Sequence, residues 1–291
     1  LWTLQWELNV LGGGSNLMRR EIGGKYERWS YDSDEGGRSR LANTEVRGGK
    51  GLGYLLPTSF ALKLYISSSE GDKQDQRASE HALRRYFILS EGDVISDKLN
   101  VYLGRPWQVG DTIWCSPLGG GPAGDPITSG GYNFYMLSDG RNKNDWPYSL
   151  KWTQADAGLP IAKPQHNDQI YMRLAETILL KAEALHLLQR NDEAAVEINR
   201  LRDRAHAKNV LADEITLDFI LDERSRELLM EEHRRYTLLR QGGMVFYNRT
   251  DQNNYFYGLC ENLTPRDSLL AIPQVVIDAN LTVPMKQNPG F

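Results

Sequence analysis

The chain has 291 residues, 40% hydrophobic and 25% charged, and a formal net charge of −4. Seven Trp, fourteen Tyr and seven Phe supply core material that a disordered chain lacks. No stretch approaches the ~18 to 20 uninterrupted apolar residues of a membrane helix. Acids and bases are interspersed, so there is no concentrated basic face of the kind that binds nucleic acid.

Leu1 opens directly into an alternating pattern, with Trp2, Leu4, Trp6 and Leu8 on one face and Thr3, Gln5 and Glu7 on the other. That period of two predicts a strand. No initiating methionine and no basic-then-apolar leader stands before it, which raises the expectation that more of the protein lies upstream. The following stretch is rich in Gly and aromatic residues: all seven Trp and 22 of the 27 Gly fall within residues 1–152, which predicts short strands and long irregular loops there. A helical pattern is expected from about Pro57 to Leu64. Ser79–Leu89 fits a helix or a strand equally. Asp32-Ser33-Asp34-Glu35-Gly36 has the start of a calcium loop but Asn43 at position twelve, where such a loop needs an acid, so a polar surface loop is the better reading.

Gly110-Asp111, between Val109 and Thr112, has the form of a two-residue hairpin turn. The register it imposes places Trp107 opposite Trp114, with Arg105 and Ser116 beyond them. Two cross-strand indoles serve either as core or as an apolar plate on which a sugar ring stacks, and Pro106 favours an edge position. Trp29 and Tyr31 form a second candidate pair of the same kind. Cys115 and Cys260 are too far apart in sequence to form a metal or redox motif; a disulfide and two buried thiols both fit.

From Asp168 the period becomes 3.6. A helix is expected from Gln169 to Arg190, with Asp168 as N-cap and Leu174, Ile178, Leu185 and Leu188 as its apolar stripe; Ala175 and Ala182 are the small contact points. A second runs from Asp192 to Ala207 with Ala195, Ile198 and Leu201 inward. Together they fit one tetratricopeptide-type unit, with Ala182 and Ala194 on the small positions, and one unit leaves an apolar face for neighbouring helices. A third helix is expected from Thr216 to Gly242-Gly243. Its charged run, including Glu223 with Arg226 and Glu227 with Arg224, is read as ion pairs bracing a helix face.

No phosphate-loop, dinucleotide, zinc-protease or serine-hydrolase motif is present, and the five histidines are not at ligand spacing. Catalytic residues, metal ligands and cofactors are therefore not expected. A glycosidase would need two carboxylates flanking a cleft ~5 to 10 Å apart, and that geometry is not visible in a sequence.

Several runs carry a resemblance. They are Arg173-Leu174-Ala175-Glu176 with Ala182-Glu183-Ala184, Asn199-Arg200-Leu201-Arg202 with Arg204-Ala205, and Ile220-Leu221-Asp222-Glu223-Arg224 with Arg226-Glu227-Leu228, Glu231, His233-Arg234, Leu238 and Arg240. Ile272-Pro273-Gln274, Ile277 and Gln287-Asn288-Pro289-Gly290 follow in the tail, and Pro57-Thr58 and Asp75-Gln76-Arg77 are weaker marks upstream. In this order and spacing they resemble the SusD/RagB family of outer-membrane nutrient-binding lipoproteins. Glu232 and Thr237 depart from it, standing where Gly and Asp are common.

The resemblance implies a mainly α, SusD-like fold in which tetratricopeptide-type helices pack with an irregular, loop-rich region containing short strands. Residues 1–167 would form the loop-rich, ligand-binding part and residues 168–291 the helical part, within one continuous domain. It further implies capture of an oligosaccharide, or of a peptide in some members, and delivery to a TonB-dependent porin. Attachment to the outer membrane would be through an N-terminal lipid that this chain does not contain. A carbohydrate-active enzyme with a helical appendage is the alternative from another class. The family's aromatic platforms vary in position, so Trp107, Trp114, Trp29 and Tyr31 rest on pattern alone.

Overall fold

The computed structural model of the protein describes residues 2–7, 9–26, 40–95, 97, 104–115, 146–153, 165–251 and 262–291. In chain order the elements are β1 (Trp2–Leu4), α1 (Met18–Ile22), α2 (Ser59–Ser67), β2 (Leu83–Arg84), β3 (Tyr86–Ile88), β4 (Thr112–Trp114), β5 (Tyr148–Ser149), β6 (Gln169–Met172), α3 (Leu174–Leu187), α4 (Asn191–Arg204), α5 (Leu217–Glu227), α6 (Arg234–Arg240), α7 (Gly243–Asp251) and α8 (Gln274–Ala279). The strands form antiparallel pairs, β1 with β6, β2 with β5 and β3 with β4. The architecture is mainly helical, with short strands in the loop-rich part. Two compact units are present, Leu1–Glu232 and His233–Phe291.

The ambiguous stretch at Ser79–Leu89 resolves into β2 and β3. The expected helix at Pro57–Leu64 is α2, starting two residues later because Thr58 caps it: its Oγ1 accepts from the Ala61 N–H at 3.2 Å. The first repeat helix is shorter than expected. Residues Gln169–Met172 are strand β6, paired with β1, and Asp168 is not an N-cap; its carboxylate instead accepts from the Trp6 N–H at 3.2 Å. The edge of β1 supplies ladder partners that four residues of helical period do not outweigh.

The apolar stripe of α3 is Ala175, Ile178, Leu179, Ala182 and Leu185, a regular i, i+3, i+4, i+7 series. Leu174 and Leu188 flank it and are 66% and 65% exposed, a correction to the expected stripe. Ala182 meets Ala194, Ala195 and Ile198 of α4 in one buried cluster that Val210, Ile215 and Ile220 complete. The small side chains at the α3–α4 contact bring the helices close, as the tetratricopeptide-type reading requires.

In the loop-rich part, Tyr26, Phe87 and Tyr148 form an aromatic nucleus. The Tyr26 and Tyr148 rings stack with centroids 6.1 Å apart, and Leu41, Leu89, Ile113 and Cys115 surround them. Their hydroxyls donate to the carbonyls of Gly49 at 2.6 Å and Arg47 at 2.8 Å, so the buried phenols are satisfied and the 47–49 turn is pinned. The Arg47 guanidinium packs over Phe87 and pairs with Asp93 at 2.6 Å.

In the second unit, Gln287 uses both ends of its amide on one residue. Its Oε1 accepts from the Ile272 N–H and its Nε2 donates to the Ile272 carbonyl, both at 2.8 Å. Asn288 donates to the Leu270 carbonyl at 2.7 Å. The two tail runs singled out in the sequence are thus one interaction.

Close backbone approach gives a direct test. A Cβ at Gly51 would stand 2.2 Å from the Gly23 carbonyl oxygen and 2.3 Å from that of Gly24. Neither atom can rotate away. Gly51→Ala is expected to destabilise the first unit by about 1 to 3 kcal/mol, as other overpacked sites do, read as a lowered midpoint in denaturant unfolding.

Candidate functional site

The charged run expected to brace a helix face does so from a buried position: Glu223, Arg224, Arg226 and Glu227 are all buried. Glu223 of α5 is fully buried and meets three guanidinium groups: Arg77 at 2.7 Å, Arg202 of α4 at 2.7 Å and Arg226 at 2.9 Å. Burial by itself would raise the Glu223 pKa, but the three cations outweigh it and hold it at about 2. Arg77 reaches it because Asp75 grips the same guanidinium at 2.7 Å and because the Gln76 N–H donates to the Ala205 carbonyl at the end of α4. Asp75-Gln76-Arg77 is therefore a clasp between the loop-rich part and the helices.

Glu227 extends the network. It accepts from Arg173 at 2.8 Å, from Arg204 at 2.5 Å and from Arg77 at 3.2 Å. The Arg226–Glu223 pair forms as expected, but Arg224 does not pair with Glu227. It turns to Glu232 at 2.5 Å and Glu176 at 3.0 Å, so the Glu at the departure from the family pattern is an ion-pair partner.

The expected long third helix is broken. α5 ends at Glu227, Met230 takes a left-handed φ of 60°, and α6 begins at Arg234. The carbonyls released at the break are capped by side chains from other segments. Lys151 Nζ donates to the Glu227 carbonyl at 2.7 Å, Arg173 Nη2 to the same oxygen at 2.7 Å, and Trp152 Nε1 to the Met230 carbonyl at 3.0 Å. Helical period alone does not report such a break, because its cause lies in residues far off in sequence.

Against this break lies a cavity of about 420 Å³, within the ~300 to 1,000 Å³ of small-molecule sites. Lys151, Trp152, Arg173, Arg204, Glu227 and Glu231 are among its walls, with Tyr65 and Arg77 behind them. Glu231 accepts from Lys151 at 2.6 Å and Arg173 at 2.5 Å. Burial lowers the Lys151 pKa, partly offset by Glu231. The Arg204 side chain is 59% exposed and marks the opening to solvent.

The aromatic candidates fall elsewhere. Trp107 and Trp114 are not cross-strand neighbours: the residue opposite Trp114 is Tyr86. The turn at Gln108–Asp111 exists, with the Asp111 N–H donating to the Gln108 carbonyl. The Leu89 N–H to Asp111 and Gly110 N–H to Leu89 bonds, however, continue the β3–β4 ladder, so β4 takes its partner from upstream. Residues before the turn are held by side chains, Arg105 donating twice to the Asp111 carboxylate at 2.7 Å. Pro106 has no N–H to offer a ladder. Trp107 is half-buried against the Tyr26–Phe87–Tyr148 nucleus. Trp29, Tyr31, the Asp32–Gly36 loop and Cys260 lie outside the described residues.

Sequence reasoning missed the cavity. Arg173, Arg204, Glu227 and Glu231 stand in the family-like runs, and Lys151-Trp152 at the composition boundary, but only the fold brings them together. Among the described residues no group of three or more His, Cys, Asp and Glu could hold a metal ion.

The model of the SusD family matches residues 125–291 of the chain. No curated protein matches it. Among solved structures, a SusD superfamily protein from Bacteroides vulgatus is similar at 16% identity and a TM-score of 0.48, over 95% of this chain; the chain spans 56% of that protein's length.

The Glu223 cluster sets a pH dependence. With a folded pKa of about 2 against an ordinary 4.5, its stabilisation is complete above about pH 4.5 and is lost as pH falls towards 2. Asp93, also held at about 2 against burial by Arg47 and the Ala42 and Ser90 amides, adds to the same limb. Unfolding free energy measured by denaturant titration should therefore fall between pH 4.5 and 2. Glu223→Gln should cost about 3 to 5 kcal/mol at pH 7, because it removes the carboxylate that Arg202 and Arg226 pair with and one of the three that hold Arg77, and should flatten that acid limb.

Proposed function

The chain belongs to the SusD family, and we propose that it is a nutrient-binding protein that captures oligosaccharide at the cell surface and delivers it to a TonB-dependent transporter of the outer membrane. The observation that carries this reading is the family match over residues 125–291, which includes helices α3 to α8 and the Ile272–Gln287 tail. No helix among the described residues is long and apolar enough to cross a membrane, which is compatible with attachment through a lipid. In this reading the protein acts by binding, without turnover of its cargo.

The cavity beside Lys151 and Arg204 supplies one contact region, with aromatic and charged groups side by side as small-molecule sites require. Trp107, Trp114, Trp29 and Tyr31 are proposed from sequence pattern alone as individual stacking surfaces for sugar rings.

A glycan array and a peptide array probed with the protein test the reading. Binding of a defined oligosaccharide class is expected; binding of peptides alone would overturn it. For a glycan that binds, Trp107→Ala should lower affinity about tenfold, or ~1.4 kcal/mol, in isothermal titration. Incubation with the same glycan should release no reducing ends above the protein-free rate.

A further inference from the structure

We infer that the cavity beside the α5–α6 break receives the carboxylate of an acidic sugar, with Arg204 and Lys151 as its anion-binding groups. The inference rests on the oligosaccharide reading above and names the cargo class of this one site.

The charge balance of the buried network carries it. Its cations are Arg77, Arg173, Arg202, Arg204, Arg226 and Lys151; its carboxylates are Asp75, Glu223, Glu227 and Glu231. Among the described residues six cations share these four carboxylates, each pairing with at least one of them. The remaining hydrogen-bond donors are not spread evenly. Arg77 spends its guanidinium on Asp75, Glu223 and Glu227, and Arg173 on Glu227 and Glu231. Arg204 makes a single hydrogen bond, Nη2 to Glu227, and has no other among the described residues. Of its five N–H groups four are thus left for a ligand. Lys151 uses two of its three ammonium hydrogens, on the Glu227 carbonyl and Glu231. Both residues line the cavity, and Arg204 stands where it opens.

A guanidinium fork offers a carboxylate two parallel hydrogen bonds, and the partly desolvated surroundings strengthen them relative to water. The Trp152 indole, its N–H already committed to Met230, gives the same cavity apolar surface suited to the C–H face of a pyranose. The choice of an acidic sugar over a peptide carboxylate follows from the oligosaccharide reading above.

The test is isothermal titration with sodium glucuronate, its uncharged methyl ester, glucose and N-acetyl-dialanine. Glucuronate is expected to bind at least tenfold more tightly than the ester or glucose, with affinity falling as salt rises. Arg204→Gln should weaken glucuronate at least fivefold, and Arg204→Lys should restore part of the loss. Equal binding of glucuronate and its ester by the wild type would overturn the inference, and needs no variant to fold. Tighter binding of N-acetyl-dialanine than of glucuronate would overturn the sugar assignment. If neutral oligosaccharides bind and glucuronate does not, the cavity assignment fails while the nutrient-binding reading stands; if no glycan binds, that reading fails as well.

Discussion

Glu223 is the constraint on which the first unit is organised. A carboxylate with no access to water is tolerated only when its charge is met at close range, and here three guanidinium groups from three chain segments meet it. Each brings its segment along. Arg77 draws in the turn after α2, Arg202 fixes α4, and Arg226 turns back from the same helix towards the α2 carbonyl of Leu64 at 3.3 Å. Tyr65, whose hydroxyl donates to the Arg226 carbonyl, closes the arrangement from the α2 side. The apolar clusters supply most of the burial energy, but they are non-directional. The ion network fixes which faces meet.

The same chemistry accounts for the break after α5. A continuous helix would commit the Glu227 carbonyl to the N–H of Glu231 along the helix axis. Turning at Met230 instead presents that carbonyl and the Glu231 carboxylate to Lys151 and Arg173, and the cations recover what the backbone gives up. The cavity is what remains where a helix leaves its axis and long side chains, rather than close-packed apolar ones, fill the gap.

Much of the helical part was legible in the sequence, since α3 and α4 follow their apolar and small-residue period closely. Ile178 and Leu185 of the expected α3 stripe and the contact points Ala175 and Ala182 are buried, while its two end positions, Leu174 and Leu188, are exposed and Leu179 takes the remaining buried place. The β3–β4 pairing was not legible. A two-residue turn motif identifies a reversal but not which strand the outgoing segment joins, and Tyr86–Ile88 competed successfully with the residues before Pro106. The charged run was recognised as structural and its Glu223–Arg226 pair forms, yet its burial was not legible: i, i+3 spacing describes a braced surface helix and a buried ionic cluster alike, and only Arg77, Arg173 and Arg202, distant in sequence, decide between them. Trp107 shows the same limit, since its half-burial depends on Tyr26 and Tyr148.

The Gln287–Ile272 contact has a chemical consequence of its own. One side-chain amide imitates a neighbouring strand, offering an acceptor to the N–H and a donor to the C=O of the same residue, across a loop of fourteen intervening positions. No other side chain except asparagine carries both functions in that geometry. Hydrolysis of the amide to a carboxylate would keep the acceptor but replace the donor with a second negative oxygen facing the Ile272 carbonyl. A single deamidation event, adding about one dalton to the chain, would thus exchange an attraction for a repulsion at Ile272, leaving the Asn288 and Gly290 contacts to hold the tail.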